Sequence, residues 1–417
     1  MSGTFSNRKK LIMLAAAVAE KMPYVKNATS LFSQGELKGK KYGQKVTGYI
    51  PDAGTVSNGL VANPDKVTEV EVNAWIRNKN TAVEVDLWDQ FVNIEDFKKE
   101  IIDKKAGKLA REVQKDIVGE NVYRSLQAVV ATSIGFGMLT ESAAALDELA
   151  VDGDIVTFLS PTIHSKIAES GLSKFLQSEK MKEIYEENYL GQYAGSAQVQ
   201  LAGMPVLDTT GASTAPTISA EVVKDASNNV IGLKPIATIT HGGSGALKVG
   251  VPYKVTGLKV VDESGIETDQ DFVVIVNSEV QYGSDGSETT VVYVPEIRLT
   301  VDGKGFGNPN AHMDATTLAA AISDSTATFT LEPLVTIGKK YAIGQARTVK
   351  GLSFDQYRFD DLPAAKQENV GTFEGITLKM QSASHILNGT EVTRIDMPWC
   401  AKIFRPEESC TIYLQLN

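Results

Sequence analysis

Two hydrophobic periods alternate along the chain, and the switches between them outline its elements. From Tyr42 to Val85 the chain reads as strands and turns. Gln44-Lys45-Val46-Thr47-Gly48-Tyr49-Ile50 leads into Pro51-Asp52-Ala53-Gly54 and a Gly/Asn/Pro-rich stretch to Pro64. Val67-Thr68-Glu69-Val70-Glu71-Val72 and Ala82-Val83-Glu84-Val85-Asp86 then alternate with period two, the mark of half-buried strands. This predicts a long hairpin excursion with an extended tip, its sheet half covered or covered by another chain. The period lengthens after Asn93. Phe97, Ile101, Ile102, Ala106, Leu109, Ala110, Val113 and Ile117 recur at three and four, which predicts a helix with one buried stripe. Asn93 and Asp96 form a capping pair at its start, and Glu95-Asp96 suit the positive end of its dipole. With no proline before Ala131, the pattern predicts a helix beyond 25 residues.

Further on, Thr140–Ala150 reads as a helix, Ile155–Leu159 as a buried strand, and Ser160-Pro161 as a helix start with proline in the first turn. Gln198 to Val206 reads as a kinked strand pair. At Gly211–Pro216 the composition shifts. Over residues 217–333 Val/Thr/Ile runs, such as Ala237–Thr240, Tyr253–Val261, Phe272–Val276 and Val291–Val294, are broken about every 8–12 residues by Gly, Asp and Asn. Such spacing predicts a barrel or sandwich. The last 45 residues return to strands, among them Ile376–Met380, Val392–Ile395 and Thr411–Leu416. An all-β block thus splits a mixed chain, the pattern of an inserted domain.

Composition narrows the function classes. The 417 residues carry 41 Lys+Arg against 51 Asp+Glu, a net charge of -10, so the average field repels phosphate and argues against general nucleic-acid binding. The charge is uneven: residues 1–45 hold nine bases and two acids, whereas residues 217–333 hold seven bases and fifteen acids. A basic head and an acidic block suggest contact between protein surfaces of opposite sign. Arg8-Lys9-Lys10, the apolar stretch Leu11–Ala19 and Ala17-Val18-Ala19 have the layout of a secretory signal. The same residues read as a helix place Leu11, Leu14, Val18 and Met22 on one face. The economy of cysteine, Cys400 and Cys410 alone, fits a reducing compartment and favours the helix. Secretion would instead point to a surface-associated, β-rich adhesive or structural protein. No apolar run approaches the roughly 20 residues of a membrane helix.

Candidate chemistry is sparse. Gly242-Gly243-Ser244-Gly245-Ala246 misses the nucleophile-elbow pattern, since Ala246 stands at the last glycine and the segment lies in the β block. Gly303-Lys304-Gly305-Phe306-Gly307 lacks the Lys-Ser/Thr of a phosphate loop and reads as a mobile loop. Asp225–Val230 starts like a calcium loop but has Val230 where the turn glycine belongs. Cys400, between Trp399 and Ala401 on a strand, reads as core. The four histidines, His164, His241, His312 and His385, are scattered. The sequence therefore assigns no catalytic, cofactor-binding or metal-binding residue, and predicts a protein that is not an enzyme and needs no cofactor.

The order of elements resembles the major capsid (coat) proteins of tailed bacteriophages with the HK97-type fold, and most closely the short-tailed Salmonella-phage coat proteins that carry a β-barrel insertion domain. Tyr42–Asp86 followed by Leu87-Trp88-Asp89-Gln90-Phe91 is similar to the E-loop hairpin leading into the spine. Gly203-Met204-Pro205-Val206-Leu207 is similar to the strand before the insertion. Glu374–Leu378, Arg394–Ala401 and Arg405-Pro406-Glu407 are similar to the C-terminal region. The resemblance implies an α+β fold with an N-terminal arm (1–41), an E-loop hairpin region (42–92) and a spine helix in a peripheral domain (93–139). It further implies the first part of an axial domain (140–216), an inserted all-β barrel (217–333) and a C-terminal axial and peripheral part (334–417). It also implies hexamers and pentamers of an icosahedral virion shell assembled in the bacterial host cytoplasm. Implied partners are a scaffolding protein, a portal protein at one vertex and packaged double-stranded DNA bound without sequence specificity. No membrane is involved.

Overall fold

The structure, a computed structural model, describes residues 12, 14–26, 28–32, 37, 40, 42–51, 69–86, 103–132, 137–149, 151, 153–169, 192–193, 196–213, 216–224, 226–228, 230–239, 245–262, 266–277, 279–282, 289–294, 297–301, 304–305, 310–313, 319, 326–356, 367–373, 375–385 and 390–416. Strands β1 (Lys45–Pro51), β2 (Glu69–Trp75) and β3 (Arg77–Asp86) precede helix α1 (Asp103–Asn121). Strand β4 (Gln127–Ala131), helix α2 (Gly137–Asp147), strand β5 (Ile155–Leu159) and helix α3 (Pro161–Glu169) follow. Short strands β6 (Gln192–Tyr193), β7 (Ser196–Gln200) and β8 (Val206–Asp208) come next. The all-β stretch runs through β9 (Thr217–Lys224), β10 (Val230–Ile239), β11 (Gly245–Leu247), β12 (Pro252–Val261), β13 (Glu267–Val276) and β14 (Val280–Tyr282). It continues through β15 (Thr289–Val294), β16 (Ile297–Val301), β17 (Lys304–Gly305), β18 (Ala311–Met313) and β19 (Thr326–Pro333). Strands β20 (Lys340–Thr348), β21 (Leu352–Asp355), β22 (Gln367–Phe373), β23 (Ile376–His385), β24 (Thr390–Ile403) and β25 (Ser409–Leu416) close the chain.

The chain divides into two compact units, each made of separate stretches: residues 1–48, 71–118 and 352–402, and residues 49–70, 119–351 and 403–417. In the first unit, β24 is the central strand of a five-stranded sheet, paired with β3 over residues 390–399, with β23 over residues 390–396, and with β21. The 82–86 stretch therefore pairs with β24, not with the hairpin. Its partner strand lies over 300 residues away in sequence, a pairing that local alternation does not specify. The hairpin proper is β1 with β2, a separate two-stranded sheet. Val46, Ala74 and Ile76 on its inner face pack with Phe32, Leu37 and Cys400. The inner cover is thus supplied by the chain's own N-terminal segment. That segment is helical over residues 14–20, with Leu14, Val18 and Met22 buried, as the helical reading expects; Leu11 lies outside the described residues. Helix α1 buries Leu109, Ala110, Val113 and Ile117 along one stripe.

The predicted helix is corrected at its far end. It stops at Asn121, and Gln127–Ala131 is a strand paired in parallel with β25. At its last residue the buried Asn121 Oδ1 accepts the Ile403 N–H at 2.8 Å, and the following Val129-Val130 pair favours strand. Residues 93–102 lie outside the described residues.

In the second unit the main sheet runs β4-β25-β20-β5-β7-β6, with β8 also on β20. Helices α2 and α3 pack Met138, Leu139, Leu146, Ile163 and Ile167 against Leu159, Ala342, Ala346, Cys410, Ile412 and Leu414. The alternate residues of β20 and β25 include buried polar side chains, among them Gln345, Arg347 and Thr411. Gln345 donates to Asn121 O and Val122 O (both 3.4 Å), and Thr411 donates to Val122 O at 2.7 Å. The turn after α1 covers this face and uses its carbonyls there.

Residues 217–333 pair among themselves. Following β13-β15-β10-β9-β19-β12 and back to β13, every neighbour is antiparallel and the circuit closes. Closure removes the unpaired edges an open sheet would leave. Strand β19 alternates strictly, with Ala327, Phe329 and Leu331 inward. The ends of the block lie side by side, because β8 just before it pairs with β20 just after it (Leu207↔Tyr341). Thr209 ties them: its N–H and its hydroxyl both reach Lys339 O, at 3.0 and 2.7 Å.

Candidate assembly surfaces and the junctions behind them

The outer face of the β1–β2 pair is built from the odd-numbered positions. Lys45 reaches Glu71 at 3.3 Å, and Thr47 donates to Asn73 Oδ1 at 2.9 Å. Hydrogen bonding from Asn73, then Lys45 and its charge, holds the exposed Glu71 carboxyl below the usual range. At the end of this row Trp75 is 50 % exposed, and Tyr42 and Tyr49 are also exposed. A tryptophan on the polar side of an alternating strand leaves half of its surface uncovered by its own fold. Aromatic side chains ringed by hydrogen-bonding groups are the composition of interface anchors. The strand is also held from behind, since Lys402 Nζ donates to Asn73 O at 2.5 Å.

Asp355, at the end of β21, fixes the N-terminal segment that covers the hairpin's inner face. Its buried carboxylate accepts the Leu31 and Phe32 N–H groups at 3.1 and 3.2 Å, the Ser353 hydroxyl at 2.7 Å, and the Ser30 hydroxyl. Thr29 bridges Ser353 in parallel, adding backbone bonds Thr29 N–H to Leu352 O and Phe354 N–H to Thr29 O. Four donors on one carboxylate make this a rigid anchor.

In the second unit, two junctions join the closed block to the main sheet. Gly250, before β12, has φ +86°, and a Cβ there would lie 2.6–3.0 Å from the Tyr123 ring. Its carbonyl accepts the Tyr413 hydroxyl of β25 at 3.0 Å. Burial pushes the Tyr413 and Tyr123 hydroxyl pKa values upward, Tyr413 also by Tyr123 and Cys410, so both stay protonated donors. At the second junction Arg298 of β16 lies 3.9 Å from Glu407. Burial raises the Glu407 carboxyl, with Arg298 opposing it. The neighbouring Glu408 is better satisfied, accepting Arg405 at 2.9 Å and the Thr348 hydroxyl.

The sequence singled out several residues that now have places. Cys400 is buried in the first unit's core and Cys410 in the second's; burial pushes the Cys410 thiol up to about 12. Ala246 sits in β11, paired with β14, and Ser244 lies outside the described residues. Lys304 and Gly305, expected in a mobile loop, pair with Val301 and Thr300 instead. Val230, in the calcium-loop segment, opens β10 after Asn228 takes the positive φ of 65°. His164 is buried in α3, and His312 pairs with Glu267 at 3.0 Å. Among the described residues no group of three or more metal-ligating side chains gathers. No described helix is long and apolar enough to cross a membrane. Sequence reasoning passed over Trp75, Asp355 and Gly250. Only Trp75 had a legible signal, an aromatic residue out of phase with its strand's apolar positions.

No protein-family model matches the chain, and no curated protein sequence matches it. Solved structures that it resembles include the head of Helicobacter pylori bacteriophage KHP40 (TM-score 0.45, 9 % identity, covering 95 % of this chain and 91 % of that one). The capsid of Ralstonia phage GP4 gives TM-score 0.45 at 7 % identity, covering 95 % and 92 %. The capsid of Cyanophage P-SCSP1u gives 0.42 at 8 %, covering 93 % and 89 %. At TM-scores below 0.5 these similarities do not by themselves assign a fold or a role.

Proposed function

We propose that the chain is the major capsid protein of a tailed double-stranded DNA bacteriophage or prophage, with an HK97-type fold and a structural rather than catalytic role. The observation that carries this is the order of the elements. A buried N-terminal segment, a separate hairpin, a helix, a mixed sheet and a self-paired β block follow one another, and the last strands return to the two earlier sheets. On this reading β1–β2 is the base of the E-loop, α1 belongs to the spine, and the outer face around Trp75 meets a neighbouring subunit. Residues 217–333 are an inserted barrel domain; their closed circuit and adjacent ends support that assignment. The barrel strengthens the subunit or its lateral contacts. A scaffolding protein, a portal and packaged DNA are the partners this role requires, in the host cytoplasm and then the virion.

The test is assembly. Trp75→Ala, and separately removal of residues 53–64, which lie outside the described residues, should leave a folded subunit whose particles are fewer or malformed in sedimentation velocity. Variants that assemble as the parent does would remove the hairpin from the interface, and a parent chain that never exceeds a small oligomer would remove the capsid role.

A further inference from the structure

One strip of the exposed side of α1 is a row of bases in a net-acidic protein, with the exposed acids Glu112 and Glu120 outside it. Lys104, Lys108, Arg111 and Lys115 are all exposed. At 100° per residue they fall within a strip about 60° wide and about 16 Å long. Positions four and three apart are neighbours on a helix surface, so the four charges form one continuous line. Among the described residues none of the four has an ion-pair partner, unlike Lys79, which is bonded to Asp116 on the flank of the same helix at 3.1 Å. Lys21, also exposed, adds a base at the margin: a Cβ on Gly107 of α1 would lie 3.3 Å from its ammonium. Four like charges at helical spacing repel one another and destabilise an isolated helix. Exposed Glu112 lies four residues from Lys108 and three from Lys115 and offsets part of that cost, and a ligand of opposite sign is the natural source of the rest.

We propose that this row is a phosphate-backbone contact: in the shell, this face of α1 meets the enclosed duplex without reading its sequence. The inference rests on the capsid reading for its biological setting, though not for its test. Two candidates of opposite charge exist, an acidic protein surface and a nucleic acid, and the chemistry of the row favours the second. Protein interfaces are depleted in lysine and centred on buried aromatic or apolar anchors. No large apolar side chain is exposed on α1 among its described residues. A row of lysines and an arginine without apolar neighbours suits the dense, unpatterned charge of a duplex, about one phosphate per 1.7 Å of axis. The chain's net charge of -10 does not forbid this. Charges farther away than about 10 Å are largely screened at 0.1 M salt, so the local row decides contact.

The test uses the soluble, unassembled full-length chain and a fluorescently labelled 30-base-pair duplex, with binding followed by anisotropy from 50 to 200 mM NaCl. Four phosphate contacts predict a log–log salt slope of about -3.6, a roughly 10²-fold loss of affinity across that range. Lys104→Gln, Lys108→Gln, Arg111→Gln and Lys115→Gln together should reduce binding at 50 mM at least tenfold and flatten the slope, with the circular dichroism unchanged. Neutralising Lys166, Lys248, Lys339 and Lys350 instead should change both far less. Equal binding by the α1 variant and the parent, or no duplex binding by the parent, overturns the proposal. Binding of polyglutamate in preference to duplex also overturns it, in favour of an acidic protein partner. If the parent forms no particles yet shows the α1-dependent slope, only the capsid setting falls.

Discussion

Gly250→Ala tests how the closed β block is held to the main sheet of its unit. The perturbation acts twice. A residue with a Cβ at φ +86° enters the left-handed region, which costs about 1–2 kcal/mol. The new methyl group also meets Tyr123, whose Cζ and Cε1 would lie 2.6 and 2.8 Å away. The Tyr123 ring would have to shift, and overpacking of this kind typically costs about 1–3 kcal/mol. Together these predict a loss of roughly 2–5 kcal/mol, about a third of the stability of an ordinary domain. Displacing the Gly250 backbone would also break the Tyr413 hydroxyl contact at 3.0 Å. Tyr413→Phe removes that bond alone and leaves the carbonyl without its donor, a loss of about 1–3 kcal/mol. Because both changes act on one contact, the double variant should lose less than the sum of the two single losses. Urea unfolding followed by far-ultraviolet circular dichroism gives the three values. Additive losses, or a Gly250→Ala chain as stable as the parent, would show that this junction does not hold the block.

Other expected outcomes follow from single groups. Asp355→Ala leaves the Leu31 and Phe32 N–H groups without their acceptor; it should cost about 2–4 kcal/mol and expose the N-terminal segment to limited proteolysis, with Asp355→Asn milder. The Glu407 carboxyl is raised by burial, so the folded state holds its proton more tightly than the unfolded chain. Stability from this group is therefore greatest at low pH and falls as pH rises from the ordinary Glu value through the raised one. Urea midpoints of the parent relative to Glu407→Gln, measured from pH 4 to pH 7, should decline over that window, and a flat difference would refute the assignment. Both cysteines are buried, and the Cys410 thiol is pushed up to about 12; a thiol reagent at pH 8 should modify neither until the chain is unfolded, then two per chain.

Much of the architecture is legible in local pattern. The strand alternation of residues 44–50 and 69–72, the stripe on α1, the proline start of α3 and the dense strands of 217–333 are properties of short windows, and each appears as an element. What local pattern does not encode is partnership. Strand β3 carries the same alternation as β2, but it pairs with a strand near the end of the chain. The end of α1 is held by residues far along the chain: Ile403 bonds the Asn121 side chain, and Gln345 and Thr411 bond the Asn121 and Val122 carbonyls. The surfaces proposed for function are similarly divided. The α1 bases can be placed on one face from spacing alone, whereas Asp355 and Gly250 acquire meaning only from groups about 100 or more residues away.

The central claim is that this chain builds shells. Negative-stain electron microscopy of the overexpressed full-length chain, alone and with its candidate scaffolding partner, tests it most directly. The account predicts closed shells or tubes of regular curvature, with Trp75→Ala shifting the population toward free subunits. Dispersed particles of about 45 kDa in every condition, at concentrations where the protein remains folded, would contradict it.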